Sequence, residues 1–347
     1  MNAIKQDVKN QLIATLSAAA PDPEAFYSEQ DAIQVMKDFQ GALCSDLRTR
    51  EHIELSNERQ LRKYVHQSAE AHGLHNTFLC QRLERRIEKL SKAIGARISG
   101  VNGEYCLRNQ LKFFNHKSDV YVLRNIELTD EENLRSECDV IIVSRFGFFM
   151  LEVKNWNGPV KISQNGMLIG PAPENRYNLP ERLSVKEYLI QNVLREDFPE
   201  NHYHNVLVLP RVDIDAGLTD AYHQMDVVDK ALAYPIWNYR HNGNCMSSEQ
   251  VRRIVKLLQE NNTWKGTRLD INFSNIIEDY AELMACAATG TTPETKANPA
   301  DADGASDAAE AESRASAILR RCGQVVAGAA ALTLPLLVRA VHVPRKR

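Results

Sequence analysis

Apolar positions recur at helical spacing through most of the first 98 residues. Ile33, Met36 and Phe39, with Gln40, fall near one face, and the stretch from Arg59 to Lys92 has the same character. Ala20-Pro21-Asp22-Pro23 is the marked break between helical runs. From Ile98 the pattern changes. Gly100-Val-Asn-Gly103 predicts a loop that opens another helix. Val120–Leu123, Cys138–Val143, Phe148–Val153 and Asn205–Leu209 are β-branched and aromatic runs between turn residues, and predict strands. Helices are predicted over Arg182–Leu194, Ser248–Asn261 and Ile276–Ala287. Ser247, with Gln250 three residues on, predicts a capping box at the start of the second.

A helix, a meander of strands, a helix and a further strand make an α/β sandwich. The chain divides accordingly: residues 1–98 as a helical N-terminal region, 99–212 as the core, and 213–288 as a helical extension of it. Residues 289–316 are Thr, Pro, Ala, Asp and Glu with almost no large apolar side chain, which predicts a disordered linker. The last segment, 317–347, is an apolar tail. Between Arg321 and Arg339 it runs 17 residues without a charge, where a spanning helix wants about 20 apolar residues and about 17 at least. Basic residues flank both ends, so orientation is not fixed. A membrane anchor through residues 317–343, an interfacial or packed helix, and a disordered tail all remain open.

Composition adds limits. The 347 residues are 44% hydrophobic and 25% charged, which excludes a wholly disordered chain and a multi-span membrane protein. Net charge is -3, so a nucleic-acid contact needs a local basic patch. The cluster Arg82, Arg85, Arg86, Lys89 and Lys92, interleaved with Glu84 and Glu88, is either a solvated helix face or a phosphate-tracking surface. The seven cysteines are scattered and contain no CxxC pair, arguing against a disulfide framework or zinc ribbon and for a reducing compartment. The N-terminus, MNAIKQDVKNQL, has no apolar h-region of a signal peptide. The expected address is cytoplasmic, at the inner face of the cell membrane if the tail inserts.

The densest chemistry lies in Ser136-Glu-Cys-Asp139-Val-Ile-Ile-Val143, Ser144-Arg-Phe-Gly147 and Phe148-Phe-Met-Leu-Glu152-Val-Lys154-Asn-Trp156. Two apolar runs joined by four residues containing Gly predict a β-hairpin. If Val143 pairs with Phe148, Ile141 falls opposite Met150 and Asp139 opposite Glu152, with Lys154 on the same face. Carboxylates facing each other across a strand pair lie roughly 5 Å apart and repel. They persist if a cation sits between them, and Mg²⁺ is commonly held by one or two carboxylates plus water and phosphate oxygens. Lys154 could position a water nucleophile or stabilise charge developing on a phosphate. Glu104, Leu107, Leu111 and Phe114 form one helical stripe, so Glu104 is expected to face the sheet as a third acid, unless it pairs with a Lys or Arg or caps its helix.

Gly103-Glu104, Cys138-Asp139-Val-Ile-Ile-Val143 and Gly147-Phe-Phe-Met-Leu-Glu152-Val-Lys154-Asn-Trp-Asn-Gly158 resemble the nuclease-related domain (NERD) family, itself similar to the PD-(D/E)XK nucleases. The resemblance covers about residues 99–212. It implies a restriction-endonuclease-like core, a mixed sheet flanked by helices, and Mg²⁺-dependent phosphodiester hydrolysis, with Mn²⁺ as a substitute. Asp139 and Glu152 would be metal ligands, Lys154 the catalytic lysine and Glu104 the helix-borne acid. Cys138 stands where the family often has a hydrophobic residue. The glutamine that many members carry at the start of the helix after the core is absent from Asn178-Leu-Pro180-Glu181-Arg182, with none from there until Gln191, so Arg182 or Lys186 would contact phosphate in its place. Arg108, Lys112, Arg145 and Lys161 are further expected contacts to a DNA backbone.

Other signals are weaker. His202 and His204 form a His-x-His pair with no further ligands nearby in sequence; Trp156, Trp237 and Trp264 are single aromatics better read as core. No Walker loop or Gly-x-Ser-x-Gly is present. Two functions remain: a metal-dependent nuclease acting on DNA, and a catalytically silent nucleic-acid-binding or scaffolding module on the same fold.

Overall fold

A computed structural model describes residues 2–52, 58–171, 176–212, 225–229 and 232–293. The linker from residue 294 and the tail 317–343 lie outside the described residues, and among the described ones no helix is long and apolar enough to cross a membrane.

The first third is helical, as its periodicity requires: α1 (Asn2–Ser17), α2 (Glu29–Glu51), α3 (Leu61–Ala71) and α4 (Phe78–Leu111). Ser28 caps α2 by accepting the Asp31 N–H, and Thr77 caps α4 by accepting that of Cys80. Met36, Phe39, Leu43 and Leu47 bury one stripe of α2, each side chain worth about 1.5–3 kcal/mol. The same core takes in α8 (Phe273–Thr289), whose Tyr280 and Leu283 are buried among the bundle residues. The C-terminal extension thus serves two cores. Its α7 (Ser248–Glu260) packs on the sheet, while α8 packs with α1 and α4.

The expected loop at residues 100–103 is instead the interior of α4, which crosses the anticipated boundary at residue 98 without a break. The physical reason lies in packing. A Cβ on Gly103 would stand 2.6 Å from the Cβ of Asn155, so this glycine permits close approach of helix and sheet rather than a turn.

The core sheet has five strands in the order β1-β2-β3-β7-β8. β1 (Val120–Thr129), β2 (Arg135–Ser144) and β3 (Gly147–Val153) are antiparallel neighbours; β7 (Tyr203–Val208) runs parallel to β3, and β8 (Asp226–Val228) parallel to β7. The crossover from β3 to β7 contains a small sheet of β4 (Lys161–Ile162), β5 (Met167–Ile169) and β6 (Arg176–Asn178), then α5 (Leu179–Leu194). α5 and α7 cover one face, against Ile141, Val143, Phe148 and Met150. The end of α4, Phe114 and α6 (Ala233–Asn238) cover the other, against Val140, Ile142, Phe149 and Leu151. The mixed sheet with helices on both faces is the predicted architecture.

Candidate active site

The β2–β3 register is the predicted one: Val143 faces Phe148, Ile141 faces Met150 and Val140 faces Leu151. One step further along stand Asp139 and Glu152, where regular pairing stops. The neighbouring β1–β2 ladder is also interrupted there. Arg124 pairs with Val140 and Ile126 with Cys138, while Asn125, at φ +50°, lies between them opposite Asp139. The strict alternation expected along β2 breaks at this irregularity, so that Cys138 and Ile141 join the same core cluster. Released from the ladder, the Asp139 carboxylate accepts the Val153 N–H at 2.8 Å. The backbone of β3 therefore holds Asp139 at the end of the strand that carries Glu152.

Glu152 is buried, 2% exposed, and both its oxygens are engaged. Lys154 donates to Oε1 at 2.6 Å and the Tyr177 hydroxyl to the same atom at 2.7 Å; Lys186, on α5, donates to Oε2. Burial opposes ionisation of Glu152, but Lys186 and Lys154 outweigh it and hold the carboxyl well below the usual range. Asp139 goes the other way. Burial raises it and the charge of Glu152 raises it further, against the pull of Lys186 and Lys154. Lys186 stays charged because Glu152 and Asp139 overcome its burial. The cation that the facing acids demand is thus partly supplied by the chain itself.

Two more acids press on this point. The turn of α4 bearing Glu104 is clamped to the segment after Lys154: Ser99 Oγ donates to the Asn155 carbonyl at 2.9 Å, and Asn155 Nδ2 donates to the Ser99 carbonyl at 2.6 Å. Leu107, Leu111 and Phe114 are buried as predicted, whereas Glu104 keeps solvent access instead of facing inward. Its pKa is raised by partial burial and by Asp139 and Glu29, with Arg124 opposing. Glu137 stands opposite Glu127 on β1; partial burial, Asp139 and Glu127 push it up to about 7. Glu104 and Glu137 therefore share the field of Asp139. Glu104, Asp139 and Glu152 do not bring their oxygens within 4.8 Å of one another as a trio; among the described residues only His66, Cys80 and Glu84 do so.

The expected phosphate contacts scatter. Lys186 is buried and paired with Glu152, so it is no free phosphate ligand. Arg145 lies in the hairpin turn, at the opposite end of β2 and β3 from the acids, with its carbonyl accepting from Cys245 and Met246. Arg182 does stay near: its guanidinium sits 5.6 Å from the Tyr177 ring centroid, and Lys154 sits 4.0 Å from the same ring. Arg108 is exposed on α4 and close enough to Arg124 to depress it after burial has done so. Lys112 and Lys161 are exposed, on the turn after α4 and in the small sheet. His204 stacks on Phe149 and, among the described residues, belongs to no group of three or more clustered metal-ligating side chains. Arg82 and Arg86 of the basic cluster face inward to Asp279.

Sequence reasoning missed Tyr177, Glu137 and the true role of Lys186. For Lys186 a signal existed. Leu179, Leu183 and Ile190 are buried around it at helical spacing, which places a lysine in a core stripe where it needs an acid.

The same stretch of chain matches a family model. The nuclease-related domain model matches residues 99–215, a range that opens in the last turns of α4 and includes the whole of β7, and so takes in Glu104, Asp139, Glu152 and Lys154. No curated protein matches the chain.

Proposed function

We propose that the chain is a divalent-metal-dependent nuclease that hydrolyses phosphodiester bonds in DNA. The observation that carries this is Asp139 beside Glu152 at the end of a hairpin, with two lysines on Glu152 and the Asp139 carboxyl pushed up by burial and by Glu152. The donor set suits a hard ion. Among the described residues Asp139 makes one side-chain hydrogen bond, through Oδ2, which leaves oxygen lone pairs for a cation. Asp139, Glu152 and Glu104 would hold Mg²⁺ or Mn²⁺, which when bound polarises the scissile phosphate and lowers the pKa of a water.

The chain's own groups supply the rest. Lys186, locked in the core, fixes Glu152. Lys154, 20% exposed on its side chain, can leave Glu152 Oε1 for a phosphate oxygen and stabilise charge there in the transition state. Tyr177 remains on Oε1 to satisfy it. Arg182, on the same ring, is placed to grip the neighbouring backbone. A cytoplasmic address remains part of this proposal.

The test is cleavage of circular and linear DNA, single strands and RNA by the full chain in Mg²⁺, Mn²⁺ and EDTA. Asp139→Ala and Lys154→Ala should each abolish metal-dependent cleavage while the circular dichroism is unchanged. Unimpaired cleavage by either variant would remove the mechanism. Saturation of both Glu152 oxygens favours the silent-module reading as the second choice, and nucleic-acid binding without cleavage in either metal would establish it.

A further inference from the structure

The bundle holds a second constellation, outside the nuclease-like core. His66 projects from α3, and Cys80 and Glu84 lie one turn apart on α4, the helix packed against it. His66 Nδ1 lies 2.8 Å from Glu84 Oε1, and the Cys80 thiol donates to that same oxygen at 3.4 Å. One ligand atom from each of the three lies within 4.8 Å of the others. Donors 2.0–2.3 Å from a tetrahedral ion are themselves about 3–4 Å apart, so small side-chain rotations suffice. Arg62 Nε, 3.5 Å from Glu84 Oε2, turns the other carboxylate oxygen toward the group.

A separate observation points to a ligand. His75, on the link between α3 and α4, has its ring centroid 6.0 Å from that of His66 at 70°. Its Nδ1 is shielded from solvent and has no hydrogen-bond partner. A surface His–Glu pair would account for two residues. It leaves unexplained a buried thiol directed at the same oxygen and a second imidazole with an orphaned nitrogen alongside.

We infer that His66, Cys80 and Glu84 bind a zinc-class divalent ion beside the unpartnered ring of His75. Mixed imidazole, thiolate and carboxylate donors favour Zn²⁺ over the hard ions Mg²⁺ and Ca²⁺. The half-exposed His66 gives the ion a way in. In the empty site the thiol is protonated, since burial and Glu84 push it up to about 12; binding exchanges that proton, released to solvent, for the metal bond. The bound ion would staple α3 to the first turns of α4. The inference stands whether or not the core cleaves DNA.

The test uses the full chain, stripped with chelator and titrated with Co²⁺ and then Zn²⁺. One equivalent of Co²⁺ should give strong tetrahedral visible bands and a near-ultraviolet thiolate-to-cobalt band, both abolished by Zn²⁺. Cys80→Ser should lose the thiolate band, and Cys106→Ser should keep it. His66→Ala, at a half-exposed position that tolerates truncation, should weaken Zn²⁺ binding at least about 10-fold with the circular dichroism intact. Failure of the wild-type chain to show the tetrahedral bands, persistence of the thiolate band in Cys80→Ser, or unchanged affinity in His66→Ala would each overturn the site.

Discussion

Asp279 in the bundle and Glu152 in the sheet core are both buried carboxylates between two cations, yet their surroundings differ. Asp279 is gripped by Arg82 at 2.6 and 2.9 Å and by Arg86, which also donates to the Asn275 carbonyl. Guanidinium forks match a carboxylate in a fixed plane, and these two ride one turn apart on α4. Glu152 is held by lysines, point charges on flexible stems. It also shares them with Asp139, whose field reaches Glu104 and Glu137. The same local count of one acid and two bases makes a fixed strut in one place. In the other the two lysines must also balance Asp139, and one of them is able to move.

The largest effect that would test this contrast is in activity. Glu152→Gln should lower metal-dependent cleavage by about 10³-fold, whereas Asp279→Asn should leave the rate of the folded protein within about twofold, well short of the tenfold that 1.4 kcal/mol represents. In stability the order reverses in interest. Asp279→Asn removes the buried charge that Arg82 and Arg86 share and should cost about 3 kcal/mol, read as a shift in urea-unfolding free energy. A folded Asp279→Asn protein that no longer cleaves would break the comparison. Gly103→Ala comes next: the added methyl meets Asn155 and should cost about 1–3 kcal/mol, with a higher Mg²⁺ requirement as Glu104 is pushed from the sheet. No change in either quantity would show that the helix shifts freely.

The smallest effect is a pH response. His204 packs 5.0 Å from Phe149 and 4.4 Å from Tyr239, and burial lowers its pKa despite Asp226. The unfolded chain takes up a proton first, so stability is full above the unfolded value of about 6.5 and is lost as pH falls through the lower folded value. The urea midpoint should drop on acidification through that window, and His204→Phe should reduce the drop.

Much of the sheet was legible because its information is local. β-branched runs and Gly147 define the hairpin, and period-two spacing then fixes which residues face one another. That register leads up to Asp139 and Glu152, one step past the last regular pair. What stayed hidden depends on contacts distant in sequence. Gly103 reads as a loop residue until Asn155, 52 positions away, explains it. Lys186 reads as a phosphate ligand until α5 is packed on the sheet. Asn125, with its positive φ, interrupts a strand that composition describes as regular. Cys80 and Glu84 are neighbours on a helix from sequence alone, but only the packing of α3 brings His66 to them.

The unbroken course of α4 has a practical corollary. Its 34 residues extend about 50 Å and contain no proline, and the matched family region begins partway along it, at residue 99. Excising that region would sever the rod beside Ser99, the residue that latches onto Asn155. The freshly cut end would fray where Glu104 needs rigid support, so a polypeptide starting there should be a poor enzyme even with every acidic side chain intact. The helical front of the molecule is the shaft on which the nuclease-related end is mounted.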